Sequence, residues 1–305
     1  IELATQPVLE VRDSYHNPVR DANTSFVASI EGAPLGMRVT ASEVFSNAQT
    51  GRVTFTDLKI SGVADSYTLK FTAKNIGQAI NGKTLTTALT LKHGIASKIS
   101  LAEAAGAKAG QAFATTAVVR ILDGQNNLVT ENFNSNGTDY NDANASVTAT
   151  INDDAIEFIT SSTDPAAAGS GDRTISMGAI AGVADFSRII DPGFGLKGAA
   201  GSYTIAYSVA TTGSSTLSKS QSITLDHGAA AEARFKTGKQ PQASVAAGDV
   251  LSPAPVIELF DAYGNPAITN ATSQVQVDIV KPDATATAVA TFGSNFTAVA
   301  GEVSL

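Results

Sequence analysis

The sequence predicts an all-β chain of tandem antiparallel β-sandwich domains, and three observations carry that prediction. Short stretches of period-two hydrophobic alternation recur along the chain, turn-forming Gly, Asn and Ser separate them, and one strand-plus-turn segment appears three times at domain-sized intervals. Among 305 residues, 43% are hydrophobic and only 16% charged, so there is material for buried cores and little likeness to a charge-rich disordered segment. At about 100–200 residues per domain the length suits two or three units.

The repeated segment aligns without gaps. Pro7-Val-Leu-Glu-Val-Arg-Asp13-Ser-Tyr-His-Asn17-Pro18, Ala117-Val-Val-Arg-Ile-Leu-Asp123-Gly-Gln-Asn-Asn127-Leu128 and Pro255-Val-Ile-Glu-Leu-Phe-Asp261-Ala-Tyr-Gly-Asn265-Pro266 each read as an apolar strand, an Asp, three linker positions and an Asn. Downstream landmarks follow in the same order. Asp21–Ile30 resembles Asp142–Ile151, Ser66-Tyr67-Thr68-Leu69 matches Ser202-Tyr203-Thr204-Ile205, and Leu91-Lys-His93-Gly94 matches Leu225-Asp-His227-Gly228. Before each Tyr lies a turn-rich strand pair, Gly51–Ile60 and Gly182–Ile190, and Gly301–Leu305 begins the same element in the third copy. The spans are therefore 1–93, 94–227 and 228–305, the first incomplete at its amino end and the third at its carboxyl end. The expectation is an ordered part of a longer polypeptide, or end units completed by strands of neighbouring chains, because an unfinished sandwich exposes unpaired edges.

Within the units, Val8–Arg12, Val53–Thr56, Tyr67–Phe71, Tyr203–Val209 and Val275–Ile279 alternate as half-buried strands do. The chief helix candidate is the alanine-rich Ala102–Ala109, but its third-copy counterpart carries Pro241, so the repeat favours a loop or short strand there.

Charge and composition exclude several functions. The net charge is −8 with no Lys/Arg cluster, so the basic footprint that a nucleic-acid binder needs is missing. No apolar run reaches the roughly 20 residues of a membrane-spanning helix, and Ile1-Glu2-Leu3 does not open a signal peptide, which places any export signal outside these residues. With no cysteine, disulfides, thiolate metal sites and cysteine nucleophiles are impossible.

Asp13, Asp123 and Asp261, each four residues before Asn17, Asn127 and Asn265, are read as strand-ending structural turns. Asp and Asn side chains bond nearby amides, and the following Pro enforces an extended exit. Tyr67 and Tyr203 are expected to bury a ring and tie a loop to the sheet through the hydroxyl. His93 and His227 fall at equivalent inter-unit junctions, where domain packing fits better than acid–base chemistry, and His16 lies in a turn. In the second unit Asn132, Asn134, Asn136 and Gly137 match positions 1, 3, 5 and 6 of a calcium-loop template, a weak structural-calcium candidate because Ala143 stands at the bidentate position. Sequons at Asn23, Asn136, Asn144, Asn270 and Asn295 permit glycosylation. No serine–histidine–aspartate arrangement can be assembled with any specificity, and no G-x-S-x-G, H-E-x-x-H or phosphate-loop pattern occurs.

The strand ending in Asp-x-x-Gly-Asn-Pro, the Gly-x-Val-x-Phe-x-x-Leu strand and the Ser-Tyr-x-Leu strand resemble the tandem bacterial immunoglobulin-like repeats of large surface proteins, including invasin/intimin-type adhesins. Asp261–Pro266 matches best; His16 replaces the Gly in the first copy, and Asn126 and Leu128 replace both Gly and Pro in the second. The resemblance implies immunoglobulin-like sandwiches in a secreted or cell-surface scaffold without catalysis: an adhesin stalk, or a surface-layer or filament subunit. It implies neighbouring domains, and self-association into a lattice or filament, as partners. Two alternatives stand beside it. One is a carbohydrate- or receptor-binding module, disfavoured by 6% aromatics and no Trp; the other is an accessory region of a secreted hydrolase.

Overall fold

The computed structural model describes residues 5–20, 23–40, 42–135, 138–159, 172–191, 193–246, 248–280, 288–291 and 296–305. Their buried apolar side chains gather into three separate clusters, one for each copy of the repeat.

The first copy contains β1 (Val8–Glu10), β2 (Ser25–Ile30), β3 (Arg38–Thr40), β4 (Glu43–Phe45), β5 (Arg52–Thr54), β6 (Lys59–Ser61), β7 (Asp65–Lys74) and β8 (Thr84–Leu91). One antiparallel sheet runs β4-β2-β7-β8, while β1 pairs with β5 and β3 with β6. Alternation sends Leu69, Phe71 and Ala73 of β7 inward, where they meet Phe26, Val53 and Phe55. Phe55 and Phe71 sit 5.4 Å apart between ring centroids, joining the two layers.

The second copy has the largest core. It comprises β9 (Ala96–Ala102), β10 (Ala107–Lys108), β11 (Gln111–Ala112), β12 (Val118–Asp123), β13 (Phe133–Ser135), β14 (Thr138–Tyr140), β15 (Ser146–Ile151), β16 (Ile156–Phe158), β17 (Thr174–Gly178), β18 (Val183–Asp185), β19 (Gly195–Gly198), β20 (Gly201–Thr211) and β21 (Ser214–Asp226). The sheets are β18-β12-β9 and β10-β21-β20-β15-β17, with β11-β19-β16 beside them and a β13-β14 hairpin. Its leading strand is shared: β9 pairs antiparallel with β12, then β10 pairs parallel with β21 in the opposite sheet. A two-sheet sandwich of this layout is immunoglobulin-like. Gln221 fastens the crossover, with Oε1 accepting from the Ala104 amide and Nε2 donating to the Ala104 carbonyl.

The alanine-rich stretch is not helical. Gly106 takes φ +70°, and Ala104, Ala107 and Ala109 turn into the core, so the segment forms the end of β9 and the short β10. Among the described residues helix is limited to two 3₁₀ turns, Asp142–Asn144 and Phe186–Arg188. The second of these changes the alignment of Gly182–Ile190. Only Val183–Asp185 is strand there, because the Asp185 side chain accepts from the Ser187 amide and starts the turn, and Ile190 is exposed. The counterpart of β6 in this copy is β19, further along the chain, which pairs with β16 as β6 pairs with β3.

The third copy comprises β22 (Ala230–Phe235), β23 (Val256–Asp261), β24 (Gln274–Val275), β25 (Asp278–Val280), β26 (Ala288–Thr291), β27 (Phe296–Thr297) and β28 (Glu302–Ser304). The sheet β22-β23-β28 repeats β9-β12-β18. The alternating run 275–279 divides between β24 and β25, which pair with β27 and β26.

One backbone device recurs in all three copies. Gly51, Gly182 and Gly301 have φ of +70°, +77° and +78°, and a Cβ on them would lie 2.3, 2.4 and 2.6 Å from the carbonyl oxygens of Val19, Val129 and Ala267. Only glycine combines that left-handed backbone with so close an approach.

Candidate functional site: a clasp repeated at the domain junctions

The aspartates singled out in the sequence end β12 and β23 and stand beside the connectors that lead in from the preceding copy. Asp123 is 3% exposed and its carboxylate takes four hydrogen bonds. Oδ1 accepts from the amides of Gln125 and Asn127, both at 2.8 Å; Oδ2 accepts from the Gly94 amide at 2.6 Å and from Asn127 Nδ2 at 2.9 Å. The turn is thus organised by its own Asp, with Asn126 at φ +67° in the position of Gly264 and His16.

Asn127 carries the bonding across the junction. Its Nδ2 also donates to the Gly62 carbonyl at 3.0 Å, and its Oδ1 accepts from the Ala64 amide at 2.8 Å. Gly62 and Ala64 flank the loop between β6 and β7 of the first copy. At the top of that loop the Tyr67 hydroxyl donates to the Val63 carbonyl at 2.9 Å. A continuous chain of bonds therefore runs from Tyr67 through the loop, Asn127 and Asp123 to Gly94.

The second junction repeats the set. Asp261 Oδ1 accepts from Tyr263 and Asn265 amides, and Oδ2 from the Gly228 amide at 2.7 Å and Asn265 Nδ2 at 2.8 Å. Asn265 Nδ2 donates to the Gly198 carbonyl at 3.0 Å, Oδ1 accepts from the Ala200 amide at 2.8 Å, and the Tyr203 hydroxyl donates to the Ala199 carbonyl at 2.8 Å.

The connector histidines complete each clasp. His93 Nδ1 lies 2.9 Å from the Gly94 carbonyl and Nε2 lies 3.2 Å from the Glu131 amide. A carbonyl can only accept and an amide only donate, so these contacts assign a neutral ring with its proton on Nδ1. His227 repeats the pattern with the Gly228 carbonyl at 2.7 Å and the Thr269 amide at 3.1 Å. Tyr263 adds packing: a Cβ on Gly110 of the second copy would lie 2.6 Å from its hydroxyl.

Electrostatics follow from this geometry. Burial pushes the Asp123 and Asp261 carboxyls up. The hydrogen bonds from Gly94 and Gly228, from the Asn side chains and from the turn amides outweigh it, holding both below the ordinary value of 3.8. Asp13 is exposed and keeps only the turn half of the set: Oδ1 accepts from Tyr15 and Asn17 amides and Oδ2 from Asn17 Nδ2 at 3.1 Å. Its carboxyl is lowered chiefly by the Asn17 amide and side chain.

The asparagine loop lies elsewhere. Asn132 Oδ1 accepts from the Ala143 amide at 3.1 Å, Asn134 sits in β13 opposite Asp139, and Asn136 and Gly137 fall outside the described residues. Among the described residues no group of three or more His, Cys, Asp or Glu is placed to hold a metal, and no helix is long and apolar enough to cross a membrane.

No family model matches this chain, and no curated protein matches its sequence. Solved structures similar to it include the Escherichia coli adhesin FdeC, at 16% identity and TM-score 0.42 over 97% of this chain and 80% of that one. A tetra-tandem repeat from the extending region of a large adhesion protein is 13% identical, with TM-score 0.28 over 94% and 59% of the two chains. A β-glucuronidase of Parabacteroides merdae is 12% identical, with TM-score 0.24 over 65% of this chain and 20% of that one.

Proposed function

We propose that this chain is a non-catalytic structural section of a secreted or cell-surface protein, made of three immunoglobulin-like units spanning 1–93, 94–227 and 228–305. Its work is to hold successive sandwiches in fixed relation, as the stalk of an adhesin or a subunit of a surface layer or filament requires. The observation that carries this reading is the recurrence of one hydrogen-bond set at both junctions, atom for atom, through Asp123–Asn127 and Asp261–Asn265. Independent domains on a flexible tether have no use for a buried carboxylate whose partners lie in the connector and, through Asn, in the neighbouring domain. Calcium has no part in the clasp, since each buried carboxylate already meets N–H donors on both oxygens.

Small-angle scattering of the full chain tests it. The wild type is expected to fit one fixed arrangement of the three units, and Asn127→Ala with Asn265→Ala to require a broad ensemble with the sandwiches still folded. A wild type as flexible as that double variant would overturn the reading. Sedimentation over a range of concentrations separates the two settings, with assembly favouring a lattice or filament and a monomer favouring a stalk.

A further inference from the structure

Of the five Asn-x-Ser/Thr sequons, those at Asn136 and Asn295 fall outside the described residues. The motif specifies two residues, so a glycosylating enzyme has to reach two groups, the Asn carboxamide and the hydroxyl two positions on. The other three sequons differ in whether the folded chain offers both. In Asn23-Thr24-Ser25 the Asn is exposed, but Ser25 is 2% exposed and its hydroxyl donates to Glu43 Oε1 at 2.8 Å. In Asn270-Ala271-Thr272 the half-buried Asn folds back on its own chain, Oδ1 accepting from the Thr272 amide at 3.2 Å and the Ser273 amide at 2.9 Å. Such an Asx turn pins the carboxamide to the backbone.

Asn144-Ala145-Ser146 offers both. Asn144 ends the 3₁₀ turn Asp142–Asn144 and Ser146 opens β15; both residues are exposed, and neither side chain is hydrogen-bonded among the described residues. Ala145 between them is extended, with φ −63° and ψ 149°, and packs against the core of the second sandwich, so its two neighbours turn to solvent. The turn is held from beneath, where the buried Asp142 accepts from the Thr212 amide at 2.8 Å and the Ala143 amide donates to Asn132 Oδ1 at 3.1 Å. Across the sheet Ser146 faces Gly178, and a Cβ there would meet nothing within 4 Å, so the approach to the hydroxyl is open. We propose that Asn144 is an N-glycosylation site, the acceptor of an oligosaccharide carried on a polyprenyl diphosphate. In the transfer Asn144 Nδ2 bonds to the anomeric carbon of the first sugar. The bond from that carbon to the diphosphate oxygen breaks, its electron pair leaves with the diphosphate, and a base of the transferase takes the proton from the nitrogen. Ser146 supplies the second group that the transferase reads. Asn23 occupies the equivalent position in the first copy, where burial of Ser25 closes the site, so the modification falls on the second sandwich alone.

The site does not depend on the clasps, and the test uses the folded full chain. The chain is incubated with a purified oligosaccharyltransferase and a polyprenyl-diphosphate oligosaccharide, and the products are read by intact mass and by glycopeptide mapping. The expected result is one glycan per chain, on Asn144. Asn144→Gln and Ser146→Ala should each abolish the addition, the second although the acceptor nitrogen is still present, and Ser146→Thr should retain it. All three replace exposed side chains that make no hydrogen bond, so the fold is expected to survive them. Peptides of residues 19–28 and 266–275, freed of the folded contacts, should accept the glycan that Asn23 and Asn270 refuse in the chain. No transfer to the folded chain, transfer first to Asn23 or Asn270, or undiminished transfer to the Ser146→Ala chain would overturn the proposal. None of these results bears on the behaviour of Asn127→Ala and Asn265→Ala.

Discussion

Asn127 and Gly62 are 65 residues apart and belong to different copies of the repeat, yet the Asn127 Nδ2 donates to the Gly62 carbonyl at 3.0 Å; Asn265 and Gly198, 67 residues apart, repeat the contact at the same distance. Since the same carboxamide also receives the amide two residues further on, each Asn grips a loop by both of its polar atoms. Removing the Asn127 side chain leaves the buried Gly62 carbonyl and the half-buried Ala64 amide without this partner. Asn127→Ala is therefore expected to weaken the first junction by about 1–3 kcal/mol. Residual dipolar couplings would read this as independent alignment of the first two sandwiches.

Asp123→Ala leaves the amides of Gly94, Gln125 and Asn127 without their acceptor. A loss of about 2–4 kcal/mol in denaturant unfolding of the second sandwich is expected. Asp123→Asn does not restore it, because one oxygen becomes an NH₂ that faces donors. Asp13→Ala, which loses only bonds made at the surface, should shift the melting temperature far less.

Acid should open the clasps. Asp123 and Asp261 titrate below 3.8 when folded, so their contribution is complete above the unfolded value and is lost as pH falls through the lower folded value. Stability at the junctions should be level from about pH 7 to 5 and decline below about pH 4. The decline should be shallower in the chain carrying Asp123→Ala and Asp261→Ala. An identical acid limb in that variant would contradict the assignment.

Gly182→Ala should cost about 2–4 kcal/mol, from a positive φ and a methyl 2.4 Å from the Val129 carbonyl. Gly178→Ala has open space around it and serves as the silent control in thermal unfolding.

Tyr67→Phe and Tyr203→Phe each remove one hydroxyl that braces a clasp loop, for about 0.5–1.5 kcal/mol. Amide exchange at Ala64 and Ala200 should quicken while the strands stay protected.

The strand-and-turn half of each clasp was legible because side chains carry it: Asp123 and Asn127 recur at fixed spacing, and His93 and His227 mark the connectors. The other half was invisible, since Gly62, Ala64, Gly198 and Ala200 act through peptide groups that leave no mark on residue type. That is why a spacing read as a turn within one domain also grips the preceding one. Pairing of Gly182–Ile190 with Gly51–Ile60 fails for a local reason: the Asp185 cap bends the chain after β18, and β19 supplies the second strand after the intervening residues. The Ala102–Ala109 stretch shows tertiary burial overriding helix propensity.

The half of each joint contributed by the upstream loop is built of main-chain atoms around a glycine, whatever side chains stand beside it. Any sandwich presenting a loop of that shape can precede any sandwich presenting the Asp–Asn turn. Such modules can be duplicated, deleted or reordered along a gene while the angle between neighbours is preserved, so length can change without redesigning the connection.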